Sequence, residues 1–317
     1  MNYVLRQKIA DQSQLDAMRL FSAIFALAVL FASFASGAEA ETISEARYEA
    51  PVARYGHFAP GRPHEYARVT ATTDSGRRIE LQLPEDEVFE DVAPRLVRVA
   101  ANEPAQILAI VSRRHDGSRV AMIRLNDGRL EVSAESPAIG VPMRWLNPIG
   151  VVDLDGDGRA EIAIVTTPHI GGTLRVYRKS GKQLVEIAAL AGFSNHVYGS
   201  PELALSKPVS LAGRMHLLVP DAARRYLRIA ALQHGRLVEV GRCDLPAPVI
   251  GAIEVVSLSE VSVGLTSMRH RVVLDTCLVN RKLGGPVSPS DWAVVTDALS
   301  PPHLDLALFF ARRTPLR

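Results

Sequence analysis

The chain is poor in cysteine, with only Cys243 and Cys277 among 317 residues, no CxxC and no Cys/His cluster. A zinc ribbon or a dithiol redox centre has no ligands or nucleophiles to be built from. An excess of one charge is also missing. Lys and Arg number 36 against 34 for Asp and Glu, a formal net charge of +2. Such a balance gives no electrostatic footprint for a nucleic-acid duplex or an anionic membrane surface, so no nucleic-acid partner is expected. The GxSxG elbow, HExxH, the P-loop and a GxGxxG opening a helix are absent too, which removes the commonest local signatures of enzymes. What is present is 47% hydrophobic and 22% charged, enough apolar material for one large core or two ordinary ones.

The sharpest shift in composition lies at the start. Phe21 to Ala35 reads FSAIFALAVLFASFA, follows Arg19 and leads into Ser36-Gly37-Ala38-Glu39-Ala40. A basic flank, a short apolar run and an A-x-A ending predict a signal peptide over residues 1–40, because a membrane span needs roughly 20 apolar residues. An uncleaved anchor is the alternative. No later stretch is long and apolar enough to span, so a periplasmic or secreted protein is expected, with no membrane span after signal removal. That compartment would permit a Cys243–Cys277 bridge, and two free buried thiols fit the sequence equally well.

Beyond the leader the chain repeats itself. RVAMIRLNDGRL, TLRVYRKSGKQL and YLRIAALQHGRL align without gaps and end at Leu130, Leu184 and Leu237, spaced 54 and 53 residues apart. Each alternates apolar residues two apart, turns at Gly128, Gly181 or Gly235, and begins a second apolar run, which is the pattern of a β-hairpin. A further short apolar run precedes each hairpin: Ile107 to Val111, Ile162 to Val165 and Leu217 to Val219. Ile162 to Val165 is apolar at every position, as a strand buried on both faces requires. A three- or four-stranded unit cannot cover its own faces, so units must stack. The expected fold is therefore all-β, a β-propeller over residues 41–300 built from repeats of about 54 residues in five to six blades. RPHEYARVTATTDSGRRIELQL reads as a candidate first copy, with Glu65 in the place of Glu161. Residues 301–317 would close a blade or form a tail.

One segment carries metal chemistry. DLDGDGRAE places Asp153, Asp155, Asp157 and Glu161 at positions 1, 3, 5 and 9 of a loop, with Gly156 and Gly158 between them. Alternate carboxylates in a tight loop turn inward together, and a hard cation such as Ca2+ takes six to eight such oxygens. The backbone carbonyl of Arg159, at position 7, would add a ligand. An EF-hand also needs a bidentate Glu at position 12 and flanking helices. Position 12 is Ile164, inside a β-type run, so the helical version fails.

With its following buried strand, GGTLRVYR strand and glycine hairpin, this loop resembles the FG-GAP or VCBS-type repeat of the integrin-alpha N-terminal-like β-propellers. The resemblance is concentrated in Asn147 to Ala188 and implies that the D-x-D-x-D-G-x-x-[DE] loop binds calcium. It implies a single site. The aligned positions of the preceding unit hold Arg98, Ala100, Asn102 and Gln106, and in the following unit the loop is cut short around Ser210 to Met215.

The functional expectation is a binding or scaffold module, monomeric, taking a protein or saccharide ligand. The alternative is an exported hydrolase or lyase acting at the propeller mouth. Among histidines only the pairs His57/His64 and His169/His196 stand out, and each reads first as a turn or rim residue. Arg144 to Pro148 and Phe193 to Tyr198 mix aromatic and polar residues as binding loops do, although Trp145 and Phe193 suit a core equally well.

Overall fold

The computed structural model describes residues 41–278, so the leader 1–40, the segment 279–300 and the tail 301–317 lie outside the described residues. No α-helix occurs among the described residues, which are all-β with a single 3-10 turn, Leu274–Thr276. The first sheet contains β1 (Ile43–Val52), β2 (Glu65–Thr73), β3 (Arg78–Gln82), β4 (Glu87–Phe89), β5 (Arg95–Val97), β6 (Gln106–Arg113), β7 (Gly117–Asn126), β8 (Arg129–Glu135), β9 (Leu146–Val152), β10 (Glu161–Thr166), β11 (Gly172–Ser180) and β12 (Gln183–Phe193). The second contains β13 (Lys207–Leu211), β14 (Arg214–Pro220), β15 (Tyr226–Gln233) and β16 (Arg236–Asp244). The third contains β17 (Val249–Val255), β18 (Glu260–Leu265) and β19 (Arg269–Val273). None of the three closes on itself.

The sequence repeat corresponds to a repeated antiparallel meander. Strands β9 to β12 pair in chain order, as do β13 to β16. In the unit before them β6, β7 and β8 pair likewise, while β4 and β5 lie end to end along β6 in place of one continuous strand. A single parallel bridge, Glu135 to Gln183, is all that joins this unit to the next within the first sheet. Hairpin chemistry explains the glycines singled out above. Asp127-Gly128 and His234-Gly235 have positive φ at both turn positions, and Gly181 at its first, as primed two-residue turns demand.

The core lies between units. On β10, Ile162 and Ile164 pack with Leu108 and Ile110 of the preceding unit and with Trp145 just before β9, while Ala163 and Val165 pack with Leu217 and Val219 of the following unit. β6 divides in the same way, Ile107, Ala109 and Val111 facing β2 and Leu108 and Ile110 facing β10. Both strands are apolar at successive positions because each is covered on two sides. Corresponding strands of successive units run side by side: β9 beside β13 and β13 beside β17, β8 beside β12 and β12 beside β16. The cysteines, left open by the sequence, are joined: Cys243 on β16 is bonded to Cys277, just past the 3-10 turn, with Cα atoms 4.9 Å apart.

Candidate functional site

The acidic segment forms the β9–β10 connection. Its shape is set by its own side chains. Asp153 accepts from the Gly156 N–H at 2.7 Å and the Gly158 N–H at 2.9 Å, and Asp157 accepts from the Arg159 N–H at 2.8 Å. Gly156 and Gly158 hold φ of 83° and 87°, which L side chains adopt only under strain, so both turns need glycine. Leu154 points into the core as an anchor, and the Ala160 N–H donates to the Val99 carbonyl of the preceding unit at 2.7 Å. Glu161 is fully buried at the head of β10 and accepts from the Leu154 N–H at 2.9 Å.

One carboxylate oxygen each from Asp153, Asp155 and Glu161 lies within 4.8 Å of the others. Asp157 and Arg159 sit exposed on the same loop, and Asp157 is not part of that cluster. Arg178 on β11 reaches into the group. Its guanidinium bonds Glu161 Oε1 through Nη2 at 2.5 Å and Nε at 3.0 Å, bonds Asp155 Oδ2 at 2.7 Å, and lies 3.6 Å from Asp157. The hydrogen bonds to Glu161 and then Asp155 hold its pKa above the ordinary arginine value. Repulsion among the carboxylates is thus relieved by a residue that the sequence reading missed. Hairpin register is the signal that could have found it: Ile162 pairs with Tyr177, which puts Arg178 across from Glu161.

The neighbouring units lack this chemistry, as their sequences indicate. β13 and β14 are joined by Ala212-Gly213 alone. Glu65 does occupy a position comparable to Glu161. It is buried at the head of β2 and accepts from the N–H groups of Gly56 at 2.9 Å and His57 at 3.1 Å.

Because β9 to β12 alternate in direction, the loops containing residues 167–171 and 194–206 fall at the opposite end from the acidic loop. There the structure gathers residues that lie far apart in sequence. The His169 and His196 rings meet with Nε2 and Nδ1 2.8 Å apart, and His196 Nε2 lies 2.8 Å from the Ser200 carbonyl. A carbonyl can only accept, so His196 carries its proton on Nε2, accepts on Nδ1, and receives the Nε2–H of His169. His169 Nδ1 is then left as a lone pair. Burial lowers the His169 pKa to about 3 and that of His196 to about 4, so both are neutral at pH 7. The His169 ring stacks on Trp145 with 1° between the planes, and Trp145 Nε1–H donates to the Glu90 carbonyl at 2.7 Å.

Glu90 is buried. Its carboxylate accepts from Ser112 Oγ at 2.6 Å and lies 2.8 Å from His57 Nδ1, out of line for a hydrogen bond. Tyr198 OH donates to the His57 carbonyl at 2.7 Å. Of the named histidine pairs, His169/His196 is thus in contact, whereas His64 engages Tyr66 rather than His57. Trp145 and Phe193 are core residues, 1% and 0% exposed, while Tyr198 is 57% exposed. Glu90 had no local signal in the sequence, and His57 stood out only as a pair with His64.

Compared with known proteins, the chain matches no protein-family model and no curated sequence.

Proposed function

We propose that this protein is an exported calcium-binding β-propeller of the FG-GAP/VCBS type, acting as a binding or scaffold module, with calcium ordering the loop from Asp153 to Glu161. The observation that carries the reading is the donor geometry. Oxygens about 2.4 Å from a central ion lie at most about 4.8 Å from one another, and the oxygens of Asp153, Asp155 and Glu161 meet that limit. They are hard carboxylate donors on a loop whose glycines leave space around it. Asp157 and the Arg159 carbonyl are the further ligands expected from the loop pattern. A bound calcium would supply positive charge in place of Arg178; the chain's own residues supply the fixed turn and the buried Glu161 that anchors it.

Support for a radial arrangement comes from the repeated meanders and from apolar clusters that each join two successive units. Export is supported by the paired cysteines, since such bridges rarely persist in a reducing cytosol. Calorimetric titration of the exported protein with calcium tests the proposal. One saturable site, lost in Asp155→Ala, is expected; no heat of binding at millimolar calcium would remove the metal and with it the family reading.

A further inference from the structure

We propose that the loop end opposite the acidic loop is a saccharide-binding site, with the exposed ring of Tyr198 as its platform and His169 at its polar edge. The inference names a ligand class for the binding module proposed above and rests on that reading. Tyr198 is 57% exposed, yet it is not free to turn, because its hydroxyl is bonded to the His57 carbonyl. His169 meets its ring edge-on at 5.2 Å between centroids, and His57 lies tilted at 5.8 Å. Met143 and Ile170, 41% and 59% exposed, are further apolar residues on the strand connections at this end. The Tyr55 hydroxyl accepts the Met143 N–H at 3.0 Å. Ile170 follows His169 directly. An exposed aromatic ring held rigid from below suits a binding surface.

The polar atoms beside the ring select the ligand. His169 is neutral, and the hydrogen-bond chain through His196 to Ser200 leaves its Nδ1 as an acceptor. The carboxylates near His57, Glu65 and Glu90, are buried, so they do not present charge to an incoming anion. An aromatic face with the His169 acceptor at its margin suits a pyranose. Such a ring lays C–H groups against the aromatic face and offers hydroxyls at its edge that both donate and accept.

Backbone strain is an independent observation pointing to the same place. Among the described residues, eight non-glycine residues have positive φ. Asp127, Ala212 and His234 each precede the glycine of a two-residue turn, which accounts for them, and Ala50 lies within β1. The other four are Phe58, Met143, Thr167 and Arg224. Phe58 adjoins His57, Met143 lies two residues before Trp145, Thr167 lies two before His169, and Arg224 bonds Ser194 beside the His196 loop. Thr167 is β-branched and sits at φ 50°, a conformation such residues avoid unless their surroundings impose it.

The test uses Trp145 as reporter. The chain has two tryptophans, Trp145 and Trp292, so a Trp292→Phe protein reports emission from the ring beneath His169. Titration with cello-, chito-, malto- and xylo-oligosaccharides to millimolar concentration is expected to give saturable quenching with at least one series. Tyr198→Ala and His169→Gln should each weaken it about tenfold. Circular dichroism of each variant checks the fold, and Tyr198→Phe, which keeps the ring, should retain most of the affinity. Silence toward every series in a protein that still binds calcium would overturn this inference alone. So would affinity that survives loss of Tyr198, or a protein partner captured on this face with all sugars inert.

Discussion

If the acidic loop binds calcium as proposed, removing the Arg178 charge should make the stability of the protein depend on the metal. Glu161 has no exposed surface, and the guanidinium, 30% exposed, is its principal counter-charge. Arg178→Met keeps the aliphatic stem and deletes the charge. Breaking a buried pair costs about 3–5 kcal/mol; partial exposure of the arginine and the surviving Leu154 N–H bond reduce the expected loss to about 2 kcal/mol in chelator. On the proposed reading, calcium no longer has to displace an arginine in the variant. If wild type binds with a dissociation constant of about 0.1 mM, linkage at about 1 mM calcium stabilises it by about 1.4 kcal/mol. Tightening by about 2 kcal/mol lowers that constant roughly 30-fold and raises the calcium-linked gain to about 3.4 kcal/mol. Urea unfolding of both proteins, with EGTA and with calcium, measures all four free energies. A variant as stable as wild type in EGTA, or one that gains no more from calcium than wild type does, would refute the reasoning.

The buried histidines make stability depend on acidity. Their folded pKa values lie below the unfolded value of 6.5, at about 3 for His169 and about 4 for His196. The unfolded chain therefore takes up protons first, and the histidine contribution to stability falls as pH drops from 6.5 toward 3, that of His196 being spent by about pH 4; His196 alone contributes up to about 3 kcal/mol to that loss. Denaturant midpoints at stepped pH check this, and His196→Asn should flatten the slope above pH 5 if the protonation is responsible. The bridge between Cys243 and Cys277 closes a loop of 34 residues, for which chain entropy gives about 4 kcal/mol as an upper value. Guanidinium unfolding of the Cys243→Ser/Cys277→Ser protein is expected to show a loss of about 2–4 kcal/mol.

Local patterns in the sequence translated directly into structure. Alternating apolar residues around Gly128, Gly181 and Gly235 became hairpins, the all-apolar run Ile162 to Val165 became a strand covered on both faces, and the shortened loop near Ser210 became a two-residue turn. The acidic loop was legible because its donors are neighbours in sequence. Arg178 was not, since it joins them only once β10 and β11 are in register. The cluster of His57, Glu90, Trp145, His169 and Tyr198 was less legible still. Its members come from separate connections, and each contributes one residue with no spacing rule between them. Cys243 and Cys277, 34 positions apart, pose the same difficulty, for nothing along the intervening chain encodes their approach.

The two-faced strands have a consequence for how the chain can be cut or inherited. Since β6 and β10 each belong to two cores, the boundaries of the sequence repeat do not coincide with boundaries of stability: excising one 54-residue unit strips the covering layer from both its neighbours. Duplication or loss of whole units would preserve the stacking only if the two newly apposed faces were complementary in shape. The side chains at those faces, more than the repeat motif itself, therefore set which rearrangements of this chain can still fold.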